Sequence, residues 1–207
     1  MDAKFFEALG VVACAGDAAL GYISPRDSRQ RLAVHEAGHA VVAHKLGAGR
    51  VRWIALGEKL SRTQVDHEAI DVETRVAWEA DFFLRAHGAP GLRPRNDEEV
   101  ALRAAMIVNI LADPPYSAPM AARIREGFKV KADCWVNTNL PHIVRVADAI
   151  LSRGGNLGGE IFEGIVERRI GAEVWMPAFQ ASRKNMGSIP QAQPELEFFG
   201  ESSIVRR

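Results

Sequence analysis

The sequence has few cysteines, and it has no paired cysteine motif. Only Cys14 and Cys134 occur in 207 residues, and they lie far apart in the chain. Without a Cys-x-x-Cys pair, the chain encodes neither a short cysteine zinc site nor a redox pair. Two isolated thiols are typical of reduced cysteines in a cytoplasmic protein, which is the location we expect.

An excess of either charge and a long hydrophobic run are also missing. The 26 basic side chains of Lys and Arg equal the 26 acidic ones in number, which argues against a generally basic nucleic-acid-binding protein and against an acidic disordered chain. The longest uncharged stretch near the start, residues 8–16, is too short to span a bilayer and predicts an amphipathic or buried helix. We therefore expect neither nucleic acid nor a membrane as a partner.

What is present is mostly helical periodicity. Asn96 can cap a helix, and Glu99 three residues later completes a capping-box pattern. Ser24 followed by Pro25 is a similar start signal, and Gly47 is a stop signal. After a first helix within residues 1–23, the pattern predicts helices over residues 24–46, 72–86, 96–112, 119–136, 141–153 and 159–169.

The strand signal is small by comparison. Residues 51–56 alternate and are rich enough in β-branched side chains to predict a strand, with residues 63–65 as a short partner. The fold class predicted is mainly α with one small β-sheet or hairpin. We divide the chain into an N-terminal helix (1–23), a main domain (24–170) and a C-terminal extension (171–207). The extension is either flexible or docks on this subunit or on a neighbouring one. A homo-oligomer is therefore one of the alternatives.

The chemistry is concentrated in the motif His35-Glu36-Ala37-Gly38-His39. Residues four apart lie on one face of a helix, so both imidazoles project from the same side, one turn apart. Two neutral imidazoles at that separation can share a Zn²⁺ ion, and Glu36 beside them can act as the general base of a metalloprotease. The surrounding residues, 32–46, are apolar almost all round, which predicts a buried helix. Polar groups buried there are costly unless they are paired or bind metal.

Residues 31–40 resemble the zinc-helix signature of the FtsH-type zinc metalloproteases. The resemblance continues at the strand of residues 51–56, at the Asn-Asp-x-x-x-Ala segment of residues 96–101, and at residues 156–169, which are similar to the family's closing helical hairpin. It implies a zincin-like helical metalloprotease domain with Zn²⁺ bound by His35 and His39 and with Glu36 as the catalytic base. The sequence contains no Gly-x-x-x-x-Gly-Lys-Ser/Thr phosphate loop, so we expect the peptidase domain without the family's ATPase module or membrane anchor.

The third zinc ligand is the least determined part of the prediction. The resemblance implies Asp97, which follows a Gly/Pro-rich loop at the start of a predicted helix. The same residue could instead only stabilise the positive end of the helix dipole. Asp113 is the main rival. The remaining alternatives lie just after the second predicted strand and near the start of the helix predicted to follow it: Asp66, His67, Glu68, Asp71 and Glu73.

Two functions follow from these residues. The first is a stand-alone, ATP-independent zinc endopeptidase, which would take unfolded or peptide substrates, bound through main-chain hydrogen bonds to the edge strand near residues 60–67. The alternative is a zinc-containing interaction or regulatory protein on a zincin fold with little or no general proteolytic activity. The intact Glu36 favours the enzyme, because a purely structural zinc site has no need of a general base.

Overall fold

Six helices and three strands make up the part of the chain that the computed structural model describes, residues 2–57, 62–66, 80–92 and 94–167. In chain order they are α1 (Ala3–Tyr22), α2 (Ser28–Leu46), β1 (Arg50–Ala55), β2 (Arg62–Asp66), α3 (residues 80–86), α4 (Asp97–Ala112), α5 (Ala118–Ser152), β3 (Asn156–Gly158) and α6 (Gly159–Val166). The prediction of a mainly helical fold with one small sheet is confirmed. The predicted extension, 171–207, lies outside the described residues.

The ends of α2 and α4 follow side-chain caps. Asn96 accepts a hydrogen bond from the backbone of Glu99 at 2.9 Å, so the predicted start of α4 is confirmed. The predicted start of α2 at Ser24 is wrong, because Asp27 is the cap and accepts from the backbone of Gln30 at 2.8 Å. Asp27 and Gln30 have the spacing of a capping box, which competes with the Ser-Pro signal three residues earlier. Gly47 ends α2 in the left-handed conformation, as predicted.

Helix α1 packs against α2, α4 and α5. Its buried residues, among them Phe6, Val11 and Ala15, join the same hydrophobic core as the buried residues of those helices. By length and composition α1 could cross a membrane, and half of its apolar window is buried inside the domain. The N-terminal helix is therefore part of the same packing unit as the predicted main domain.

Helix α5 is longer than the sequence pattern predicts. Two helices were expected, over 119–136 and 141–153, but one helix of 35 residues contains Pro141 in its interior. Thr138 and Asn139 bind the backbone carbonyls four residues before them, at 2.9 Å each, immediately ahead of the proline. The apolar face continues past Pro141 into the core, and this tertiary packing outweighs the lost helical hydrogen bond.

The sheet has the order β2-β1-β3, and both pairings are antiparallel. The two predicted strands are confirmed, but the third strand, β3, is not predicted; it lies between the helices predicted over residues 141–153 and 159–169. It has only three residues, which is too few for an alternating pattern to show. In the described part of the chain β2 forms one edge of the sheet, and its Thr63 pairs with the buried Ile54 of β1.

A close approach between α1 and α2 gives a prediction about stability. A Cβ atom on Gly38 of α2 would lie 2.7 Å from the carbonyl oxygen of Ala15, whereas one on Gly127 of α5 would meet nothing within 4 Å. Gly38→Ala should lower the free energy of unfolding by about 1–3 kcal/mol through overpacking. Gly127→Ala should raise it by roughly 1 kcal/mol, because alanine favours a helix. Urea denaturation of the metal-free protein measures both, and an equal effect of the two would contradict this packing.

Candidate metal centre

Helix α2 places two imidazoles side by side. His35 and His39 lie one turn apart with their rings edge to face and their centroids 4.6 Å apart. Their Nε2 atoms are 3.0 Å from each other. The pair therefore has the common orientation that the spacing of four residues predicts, and both Nε2 atoms converge on one point.

Asp97 brings a carboxylate to that point from the first turn of α4. Its Oδ2 atom lies 3.0 Å from Nε2 of His35 and 3.3 Å from Nε2 of His39. Asn96 caps the helix, and Glu99 accepts a hydrogen bond from the backbone N–H of Arg95 at 2.6 Å. These two contacts fix the backbone on either side of Asp97. Three residues from two elements thus form one compact cluster of candidate metal ligands.

The alternatives to Asp97 do not join this cluster where the structure describes them. Asp113 is exposed and ends α4 at its opposite end, about 24 Å along the helix axis. Asp66 lies in β2, where only its backbone is described. His67, Glu68, Asp71 and Glu73 lie outside the described residues.

The spacing of the three atoms fits a tetrahedral zinc site. With zinc–ligand bonds of about 2.0–2.1 Å, the edge of the tetrahedron is about 3.3 Å, which matches the observed separations of 3.0–3.3 Å. Two imidazoles and one carboxylate are also the donor set of catalytic zinc sites that keep a fourth position open. Lone pairs this close repel one another unless a proton or a cation lies among them, so the cluster is suited to a positive ion.

Helix α1 determines which nitrogen of His39 carries a proton, and it also contacts His35. Nδ1 of His39 lies 2.8 Å from the carbonyl oxygen of Val12, which can only accept, so this nitrogen carries the proton. In the neutral ring Nε2 is then left with a free lone pair, as a metal ligand requires. Nδ1 of His35 has a longer contact of 3.5 Å to the carboxylate of Asp17. Such outer contacts orient metal-binding histidines and increase their basicity.

Gly16 of α1 makes room for the site. A Cβ atom at this position would lie 2.6 Å from Nδ1 of His35 and from Nε2 of His39. No alanine or larger residue fits there unless the imidazoles move. The glycine thus lets the backbone of α1 approach the two ligands closely.

The pKa values of His39 and Asp97 reflect the attraction between the imidazole and the carboxylate. Burial lowers the pKa of His39, but hydrogen bonding and the charge of Asp97, together with the Val12 carbonyl, outweigh burial and raise it above the usual value. Burial raises the pKa of Asp97, but its bonds to His35 and His39 outweigh this and hold the pKa well below the usual range. A proton on His39 therefore competes with a metal ion, and this competition increases as the pH falls.

Glu36 is buried beside the cluster and has its own partner. Glu36 is only 6% exposed to solvent. The hydroxyl of Thr63 on β2 lies 2.7 Å from Glu36 Oε2 and 3.1 Å from the backbone carbonyl oxygen of the same residue. The structure thus places the predicted base next to the candidate ligand His35 and gives its carboxylate a hydrogen-bond donor.

Three residues of this site were missed in the sequence: Val12, Gly16 and Thr63. Val12 acts through its backbone, so its side chain carries no signal. Thr63 is one polar residue in a short strand. Gly16 did leave a signal, because an isolated glycine within an apolar helical pattern indicates close packing.

No protein-family model, curated protein or solved structure matches this chain.

The position of Gly16 predicts a sensitive substitution. Gly16→Ala should weaken zinc binding by about 10–100-fold, because the new methyl group displaces the imidazoles from their shared point. Gly21→Ala is the matched control on the same helix, since a Cβ atom there meets nothing within 4 Å. Competition with a chromogenic zinc chelator measures both affinities. Equal affinities in the two variants would show that α1 does not approach the ligands this closely.

The assignment of Asp97 predicts a second difference. Asp97→Ala should lower zinc affinity by orders of magnitude, because the metal loses a ligand and the one negative charge among its three ligands. Asp113→Ala should leave zinc affinity unchanged and disturb only the end of α4. Isothermal titration of metal-free protein with zinc distinguishes the two. Loss of affinity in the Asp113 variant alone would assign the ligand to the other end of the helix.

Proposed function

We propose that this chain is a zinc metallopeptidase of the zincin-like class. The observation that carries the proposal is the convergence of His35, His39 and Asp97 within 3.3 Å, with Glu36 buried at the next position of the same helix. A structural zinc site normally fills all four positions with protein ligands. Among the residues that the structure describes, three candidate ligands lie beside a carboxylate that does not join them, and this supports catalysis instead.

The chemistry is divided between the metal and Glu36. When bound, zinc supplies a Lewis acid that polarises a peptide carbonyl and lowers the pKa of a water molecule. Glu36 takes the proton of the attacking water and returns it to the leaving amine, so that its carboxylate acts first as a base and then as an acid. His35, His39 and Asp97 would hold the ion in place, while α1 contacts both rings.

The sheet supplies a site for an extended substrate. Strand β2 contacts α2 and lies at the edge of the sheet in the described part of the chain. An extended peptide can add to such an edge through main-chain hydrogen bonds, as an additional strand. Since Thr63 of β2 reaches Glu36, this edge lies beside the catalytic base. Unfolded segments, chain ends and small peptides in the cytoplasm fit this mode of binding.

The central prediction concerns Glu36→Gln. The variant should bind one zinc per chain and keep the fold, but its hydrolysis of an unfolded protein such as casein should fall by about 100- to 10,000-fold. The amide has nearly the same shape as the carboxylate but cannot accept the proton of water. Zinc content is measured by elemental analysis, and hydrolysis by the release of labelled peptides.

Glu98→Gln is the matched control, because Glu98 is an exposed glutamate in the first turn of α4 and next to the ligand Asp97. Its activity should stay close to that of the wild type. If the wild type binds zinc but is as inactive as Glu36→Gln on unfolded substrates, the chain is a zinc-containing interaction or regulatory protein instead.

A further inference from the structure

The carboxylate of Glu36 must point in one direction to act as a base, and burial alone does not determine its rotamer. We propose that Thr63 is a positioning residue that fixes this direction from the edge strand β2; the proposal rests on the peptidase function proposed above. The hydroxyl of Thr63 lies 2.7 Å from Oε2 of Glu36. A carboxylate with one oxygen held in this way keeps its other oxygen for the proton of water.

The neighbours of Thr63 explain how it reaches α2. In the sheet, Thr63 pairs with Ile54 and Ile54 pairs with Leu157, so the three side chains form one row across β2, β1 and β3. Ile54 and Leu157 are fully buried in the core. Side chains of directly paired residues lie on the same face of a sheet. Thr63 therefore ends an apolar row with a hydroxyl, at the point where the row meets Glu36.

Both acceptors near the hydroxyl of Thr63 belong to Glu36. Thr63 Oγ1 lies 3.1 Å from the backbone oxygen of Glu36 as well as 2.7 Å from its side chain. A hydroxyl has one proton to donate, and the shorter contact to the charged oxygen is the stronger one. The threonine thus donates its proton to the side chain of Glu36 at 2.7 Å, and the backbone oxygen of the same residue lies within 3.1 Å as the weaker acceptor.

This arrangement links substrate binding to the base. A peptide that pairs with the outer edge of β2 holds the same strand that holds Glu36. The position of the strand then determines both where the scissile bond lies and where the carboxylate points. Loss of the hydroxyl should affect the rate of hydrolysis and leave peptide binding and metal binding unchanged.

The test compares Thr63→Val, which keeps the shape and lacks the hydroxyl, with Thr63→Ser, which keeps the hydroxyl. Thr63→Val should lower kcat by about 10–100-fold, the range expected for a lost hydrogen bond to a charged group. KM and zinc content should stay within about twofold of the wild type, and Thr63→Ser should restore most of kcat. Thr138→Val is the matched control, since its hydroxyl binds the carbonyl of Cys134 in α5, away from the site.

A second readout does not depend on activity. In protein labelled with ¹³C at glutamate carboxyl groups, the resonance absent from Glu36→Gln belongs to Glu36. Without metal, that resonance should move in Thr63→Val but stay in place in Thr63→Ser and Thr138→Val. The proposal is overturned if the resonance and kcat are unchanged in Thr63→Val, or if zinc content falls together with kcat. A wild type without any hydrolysis refutes the proposed function, and the resonance then still decides whether Thr63 holds Glu36.

Discussion

Burial of polar groups in α2 is the constraint on which the site depends. Between Ala33 and Ala43 every residue except His35 is buried, yet this stretch contains Glu36 and His39. A buried imidazole and a buried carboxylate are stable only with hydrogen-bond partners or a metal. The partners come from three different elements, because α1 provides the carbonyl of Val12, α4 provides Asp97 and β2 provides the hydroxyl of Thr63. The candidate metal centre therefore forms only when these elements pack around α2.

Helix α1 shapes this arrangement through its backbone. It contributes no candidate ligand, but it determines which nitrogen of His39 carries a proton, and its Gly16 allows the two rings to converge. Small residues at the contact, such as Gly38 against Ala15, bring the two helices close enough for a backbone carbonyl to reach a side chain. The segment that resembles the metalloprotease family begins after α1, so motif matching alone gives an incomplete description of the site.

Much of the site could be predicted because it depends on local spacing. Two histidines four residues apart must share a helix face, and Asn96 with Glu99 defines the start of α4. The choice of Asp97 as their partner came from the resemblance to the metalloprotease family and not from spacing. The rest depends on contacts between distant parts of the chain. Thr63 lies 27 positions from Glu36, and no local pattern indicates that they meet. Pro141 was read as a helix boundary because its effect on a helix is local, whereas the packing that keeps α5 continuous is not.

A crystal structure of the zinc-loaded protein, with anomalous diffraction recorded on both sides of the zinc absorption edge, tests the central claim most directly. The account predicts one anomalous peak per chain, about 2.0–2.1 Å from Nε2 of His35, Nε2 of His39 and a carboxylate oxygen of Asp97, with the fourth position free of protein. A peak coordinated by His35, His39 and a residue other than Asp97 would change the identity of one ligand. A peak elsewhere in the chain, or four protein ligands around the ion, would contradict the account of a catalytic metal centre.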